Sequence, residues 1–370
     1  MTIARPYEDF LAMQTCPLVP QSNEKEVLKK IQKLKTELGE QVLILGHHYQ
    51  REEVFAFADI SGDSLKLSQQ AADSTSPYII FCGVHFMAET ADILTTDAQT
   101  VILPDLAAGC SMADMANDEQ VNEVWAELAS VIDVEASVTP VTYINSTAAL
   151  KSFCGQHGGI VCTSSNAQKT LEWSWAQRDK ILFFPDQHLG RNTALAMGMS
   201  DELMIVWDPL LPLGGNSLES IQKAKLILWK GYCSVHMLFQ AEHVHDMREE
   251  YTDIQILAHP ECDRSVCDIA DFVGSTEAII AHVAAAKTGQ RFAIGTELNL
   301  VNRLRLQFPQ KPVHFLSPTI CMCSTMFRTD PQHLLAALQS IADHHITNQV
   351  KVHETDKHWA KISLQRMLAI

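Results

Sequence analysis

No stretch of this 370-residue chain approaches the roughly 18 consecutive apolar residues that a membrane span needs, although hydrophobic residues make up 46% of it. The opening MTIARPYEDFLAMQ carries acids where an export signal would be apolar, so the expected location is the cytoplasm. Positive charge is scarce as well: 28 Lys and Arg stand against 44 Asp and Glu, a formal net charge of −16. That balance argues against nucleic acid or an anionic membrane surface as partner. It also means that an anionic substrate has to be held by local features and not by the overall field. The compact Cys-x-x-Cys-x-x-x-Cys type of cluster motif is missing. Mean hydropathy near zero describes an ordinary packed core, and the length predicts two or three domains.

What the chain does have is ten cysteines and no secretion signal, a combination that reads as thiols or metal ligands rather than disulfides. Position singles out three of them. Cys110 follows an apolar strand in VILPDLAAGCSMAD, Cys233 ends LILWKGYC, and Cys323 lies in PVHFLSPTICMCSTM beside Cys321. The chain reads as three passes of strand and helix, with one such cysteine closing each pass. After a lead-in over residues 1–22, the passes cover 23–118, 119–239 and 240–370, with 201–217 read as an irregular insertion in the second. His47, Tyr143 and His259 mark equivalent strand ends, 96 and 116 residues apart. Ser64, Ser164 and Thr276 mark equivalent helix starts, 100 and 112 residues apart.

Strand alternating with helix argues an α/β fold whose parallel sheets are covered on both faces. Ligands to such sheets bind beyond the carboxyl ends of the strands. Three copies around a pseudo-threefold axis would therefore aim every marked residue at one central pocket. Thiolates meeting there suit an iron–sulfur cluster, and three ligands instead of four would leave one iron free as a Lewis acid. On the residues alone, a catalytic zinc and plainly buried thiols stay open as alternatives. The helix-start hydroxyls suit phosphate or carboxylate, although each would also serve as an ordinary cap. His47-His48-Tyr49, Tyr143-Ile144-Asn145 and His259-Pro260-Glu261 offer the imidazole, phenol and carboxylate that proton transfer uses. His236 falls three residues after Cys233, next to the proposed metal.

GHHYQ, GDSLKLS, GVHFMAETA, LPDLAAGCSMAD, TYINS, TSSNA, PDQHLG, GYCSVH, HPEC, ADFVGST, GTE and CSTMFRTDPQHLL, in that order, resemble the quinolinate synthase family in its long-chain form. The resemblance runs from about residue 42 to 340. It implies three homologous αβα-sandwich domains around a pseudo-threefold axis and an oxygen-sensitive 4Fe–4S cluster on Cys110, Cys233 and Cys323. Cys323 is taken over Cys321 because the family's Cys-x-x-Met with a later Leu fits Cys323, Met326 and Leu334. The implied reaction, in NAD biosynthesis, joins iminoaspartate and dihydroxyacetone phosphate to give quinolinate, phosphate and two waters. The first of these substrates comes from an aspartate-oxidising enzyme. The implied active-site residues are His47, Tyr49, Ser64, Phe86, Tyr143, Asn145, Ser164, His236, His259, Glu261 and Thr276. Among them His47, Tyr49, His236, His259 and Glu261 carry proton-transfer roles. Cys262 and Cys267 match no ligand position and read as structural. Two rivals use the same thiols: a cluster-dependent hydro-lyase without a phosphate pocket, and a redox sensor that needs neither the hydroxyl turns nor His259-Pro260-Glu261.

Overall fold

The structure, a computed structural model, describes residues 22–319 and 322–370, so the lead-in up to residue 21 and Cys321 lie outside the described residues. Fourteen described strands form three separate sheets. The first holds β1 (Val42–His47), β2 (Ile60–Gly62), β3 (Tyr78–Cys82) and β4 (Thr100–Ile102). The second holds β5 (Val138–Tyr143), β6 (Ile160–Cys162), β7 (Lys180–Phe184), β8 (Met204–Trp207) and β9 (Leu226–Trp229). The third holds β10 (Ile254–Ala258), β11 (Phe272–Val273), β12 (Arg291–Gly295) and β13 (Val313–Phe315). Apolar strands such as Lys180–Phe184 and Leu226–Trp229 are buried along their whole length. Helices covering both faces of a parallel sheet produce that pattern.

One strand order repeats. In each sheet the first strand of the pass lies between the second and the third, and the fourth lies outside the third. All pairings are parallel save one. β8 and β14 (Gln349–Val350) are additions, each placed outside a fourth strand, β9 and β4 respectively. The irregular reading of 201–217 is thus corrected at Met204–Trp207, which forms an edge strand in register with Leu226–Trp229. The sequence hides it because an edge strand is only half covered, and its middle residues Ile205 and Val206 are only partly buried.

The end of the chain does not stay with the third sheet. Helix Pro331–Ala342 packs on helix Ser22–Leu38, and β14 runs antiparallel to β4 in the first sheet. The last helix, Glu354–Leu368, lies along Ala148–Gln156 of the second. Ser363 Oγ donates to the Lys151 carbonyl at 2.7 Å, and Arg366 donates to the Gly159 carbonyl at 2.6 Å. No described helix is long and apolar enough to cross a membrane.

The cysteine loops share one geometry. Each of Cys110, Cys233 and Cys323 precedes a single 3₁₀ turn: Ala113–Met115, His236–Leu238 and Met326–Arg328. The carbonyl of each cysteine accepts the N–H of the residue four further on, at 3.1, 3.1 and 2.9 Å. An α-helix then begins eight residues after each cysteine, at Asp118, Ala241 and Pro331.

The close crossing of the last helix gives a stability test. Gly155 lies against the Trp359 backbone, and a Cβ there would overlap its carbonyl oxygen. Gly155→Ala should destabilise the protein by about 1–3 kcal/mol, read as a lower urea midpoint. An unchanged midpoint would mean that the helix crossing is looser than described.

Candidate active site

Strand ends of all three sheets hand their next residues to one chamber between the sheets. The first strands deliver His47 and Tyr49, Tyr143 and Asn145, and His259 and Glu261. The second strands deliver Ser64, Ser164 and Thr276. The third strand of the first unit delivers Phe86, and the loops after the fourth strands deliver Cys110, Cys233 and Cys323, with His236 behind Cys233. Every residue singled out from the sequence for this pocket therefore lines it.

Ser64 and Thr276 open the helices Ser64–Asp73 and Thr276–Ala285, capped by Asp63 and Ser275. Ser164 differs in detail: it sits in a turn, and its helix starts only at Ala167. The turns are tied together, since Asp63 caps Lys66 N–H at 3.0 Å through one oxygen and accepts the Ser165 hydroxyl through the other. Among the described residues no Lys or Arg lines the chamber. Hydroxyls and free N–H groups are left to receive an anion.

A chain of polar groups runs from the Thr276 turn to Glu261. Tyr49 OH lies 3.0 Å from Thr276 Oγ1 and 2.9 Å from Thr296 Oγ1, and Thr296 Oγ1 lies 3.3 Å from His236 Nε2. His236 Nδ1 approaches Glu261 Oε2 at 2.8 Å, an ion-pair approach rather than an aligned hydrogen bond. The His259 ring stacks on His236 with centroids 4.6 Å apart, its Nδ1 3.9 Å from the same carboxylate oxygen. Burial alone would push the Glu261 carboxyl up, but His236, His259 and the Tyr143 hydroxyl outweigh it and hold the group below its ordinary range. His47 is driven the other way, to about 3, by burial and then by the nearby His48 and Arg303 charges. His259 is likewise lowered to about 3, chiefly by burial. The wall therefore holds two neutral imidazoles beside an ionised carboxylate.

Sequence reasoning missed Thr296 and Glu297 here. Both are fully buried at the end of β12, the position equivalent to the one that leads into Phe86. Glu297 caps Leu298–Gln307 by accepting Asn299 N–H at 2.7 Å, and it meets Cys323 N–H at 3.4 Å. Burial raises its carboxyl to about 8. The signal was available: GTE follows the apolar run RFAI and is one of the stretches that carry the resemblance.

The thiols suit a cluster. Burial raises Cys110 to about 12 and lifts Cys233 and Cys323, and Cys110 and Cys323 each press Cys233 further up. They are thus close enough to repel one another as thiolates. Each sulfur also receives a backbone N–H from the residue three further on, Ala113, His236 or Met326. Hydrogen bonds to sulfur and a dry surround are what an iron–sulfur site provides. Cys233, His236 and Glu261 also place S, N and O donor atoms within 4.8 Å of one another, a set able to hold a single ion.

A profile of the family described as NadA, quinolinate synthetase A protein, matches residues 29–369. The chain belongs to this family. A quinolinate synthase from Rhodopirellula baltica is 54% identical over 368 residues, covering 96% of this chain and 94% of the relative. One from Acidobacterium capsulatum is 53% identical and covers 92% of each chain. One from Corynebacterium glutamicum is 50% identical and covers 94% of this chain and 89% of the relative. The similarity spans about nine-tenths or more of each relative, and the chamber is built from all three sheets.

Two measurements test the wall. Thr296→Val keeps shape but removes the hydroxyl between Tyr49 and His236; kcat should fall about tenfold or more, with about 1 kcal/mol of stability lost. A steady-state assay with wild-type kcat would remove Thr296 from the chain. The second concerns pH. Because His47 stays neutral when folded but takes a proton near pH 6.5 when unfolded, stability is lost as pH falls below about 6.5. The melting temperature of cluster-free protein should drop from pH 7 to pH 5, and less steeply in His47→Gln; equal slopes would contradict the buried neutral ring.

Proposed function

We propose that the enzyme forms quinolinate for NAD biosynthesis, condensing iminoaspartate with dihydroxyacetone phosphate and releasing phosphate and two waters. One observation carries the reading. A member of this family gathers three thiols, three hydroxyl turns and the His236–Glu261 pair in one chamber, one thiol and one turn from each sheet. Iminoaspartate would come from an aspartate-oxidising enzyme.

A 4Fe–4S cluster would be held by Cys110, Cys233 and Cys323, and would supply Lewis acidity for the loss of water. The rest is done by the chain. The turns at Ser164 and Thr276 hold the phosphate and one carboxylate with hydroxyls and backbone N–H groups. Ser64, tied to the second turn through Asp63 and Ser165, adds a third hydroxyl from the first unit. Tyr143 and Asn145 orient the diacid, and Phe86 forms an apolar wall against the carbon skeleton. His47 and His259, neutral in the chamber, can accept protons, while Glu261 with His236 carries protons during isomerisation, ring closure and dehydration. Tyr49 is held by Thr276 and Thr296 so that its hydroxyl stays within the same network.

The test is anaerobic. Cluster-loaded enzyme mixed with triose phosphate and freshly made iminoaspartate should release quinolinate and phosphate one to one. Glu261→Gln should keep the wild-type iron and sulfide content and lose at least about a hundredfold in kcat. Phosphate release without quinolinate from the wild type would indicate a different reaction, and a fully active Gln variant would remove Glu261 from proton transfer.

A further inference from the structure

We propose that Asn192 is a positioning residue for Glu261, reaching from the second unit to hold the third unit's active-site loop. Asn192 lies on helix His188–Ala196 and is buried. Its Nδ2 is 2.9 Å from the Pro260 carbonyl, 2.9 Å from the Cys262 carbonyl and 3.4 Å from Cys267 Sγ. Those two carbonyls belong to the residues immediately before and after Glu261. The amide has two N–H groups, so one pair of donors grips the backbone on both sides of the carboxylate-bearing residue.

The loop needs such a grip. Within it, Cys262 N–H closes a turn onto the His259 carbonyl at 2.9 Å, and Cys262 Sγ faces the Gly295 carbonyl at 3.4 Å. Neither contact takes up the Pro260 or Cys262 carbonyl, and the Cys267 thiol reaches the latter only at 3.7 Å. A buried carbonyl without a donor costs about 1–3 kcal/mol, so losing Asn192 favours a shift of the loop. The support behind Asn192 is rigid. Asp186 Oδ1 caps its helix at Leu189 N–H, 2.6 Å away, and Gly190 lets the helix lie against Phe183 and Leu228 of β7 and β9. The second sheet thereby sets the place of a carboxylate carried by the third. A displacement of about 1 Å at a reacting group costs on the order of a hundredfold in rate.

The experiment uses cluster-loaded, full-length Asn192→Asp, which keeps the size but loses both N–H donors, and Asn192→Ala. Both should lose about 10–100-fold in kcat per cluster. The KM for dihydroxyacetone phosphate should stay within about twofold, because the hydroxyl turns are untouched. Cys267→Ala removes the third acceptor and the long thiol contacts to the His259 and Cys262 carbonyls but leaves both Asn192–carbonyl bonds, and should keep wild-type kcat. The proposal fails if both Asn192 variants retain kcat per cluster, including the case where activity falls only in step with cluster content or stability. It also fails if the losses appear as KM alone. The inference rests on Glu261 acting in the reaction, so Glu261→Gln is measured beside it. A fully active Gln variant overturns that underlying role, whereas an inactive Gln variant with active Asn192 variants overturns only this inference.

Discussion

Glu261 is a carboxylate with 3% of its surface exposed, and an ionised group in such a place stands only if its charge is matched. Leaving it unmatched costs several kcal/mol, more than any single packing contact around it supplies. The matching groups come from different parts of the chain. His259 shares its loop, His236 arrives on the segment leaving the second sheet, and the Tyr143 hydroxyl arrives from the end of β5. The charge is therefore tolerable only when the carboxyl ends of separate sheets meet. Parallel pairing makes them meet: strands running one way send all their functional loops to one side, and three copies of one strand order converge on one chamber.

That dependence explains why so much of the chamber was legible in the sequence. The cue was a position, the residue after an apolar strand, and position survives where residue identity has diverged. His47, Tyr143 and His259 are not one residue type, yet each stands at the carboxyl end of a first strand. The cysteines were legible for the same reason, and the structure adds what the sequence could not show, a 3₁₀ turn and a backbone N–H aimed at each sulfur.

What escaped had no local signal. β8 is four residues between a Pro-rich loop and a 3₁₀ turn, and it becomes a strand only because β9 offers an open edge. β14 and the last helix belong to the first and second sheets through pairings more than two hundred residues long, which no periodicity announces. Asn192 reads as an ordinary polar residue on a helix, and its three acceptors belong to another unit. Thr296 and Glu297 are a different case. They follow β12 as Phe86 follows β3, but a threonine and a glutamate after a glycine read as a turn and cap, and Glu297 does serve as one.

The same burial that makes Glu261 demanding also divides the labour among its neighbours. In water a histidine beside a carboxylate would hold its proton through neutral pH, and every imidazole of the wall would be an acid. Here desolvation drives His47 and His259 far enough down that both rings stand neutral. His236 differs from them in one respect, its Nδ1 lying 2.8 Å from the carboxylate, where His259 stands at 3.9 Å. An attraction that falls with distance makes the nearer ring the carboxylate's stronger partner. The site thus sets one ionised carboxylate beside neutral imidazoles at His47 and His259. Because that arrangement follows from spacing of about an ångström, the residues that fix the Glu261 backbone matter as much as those that touch its oxygens.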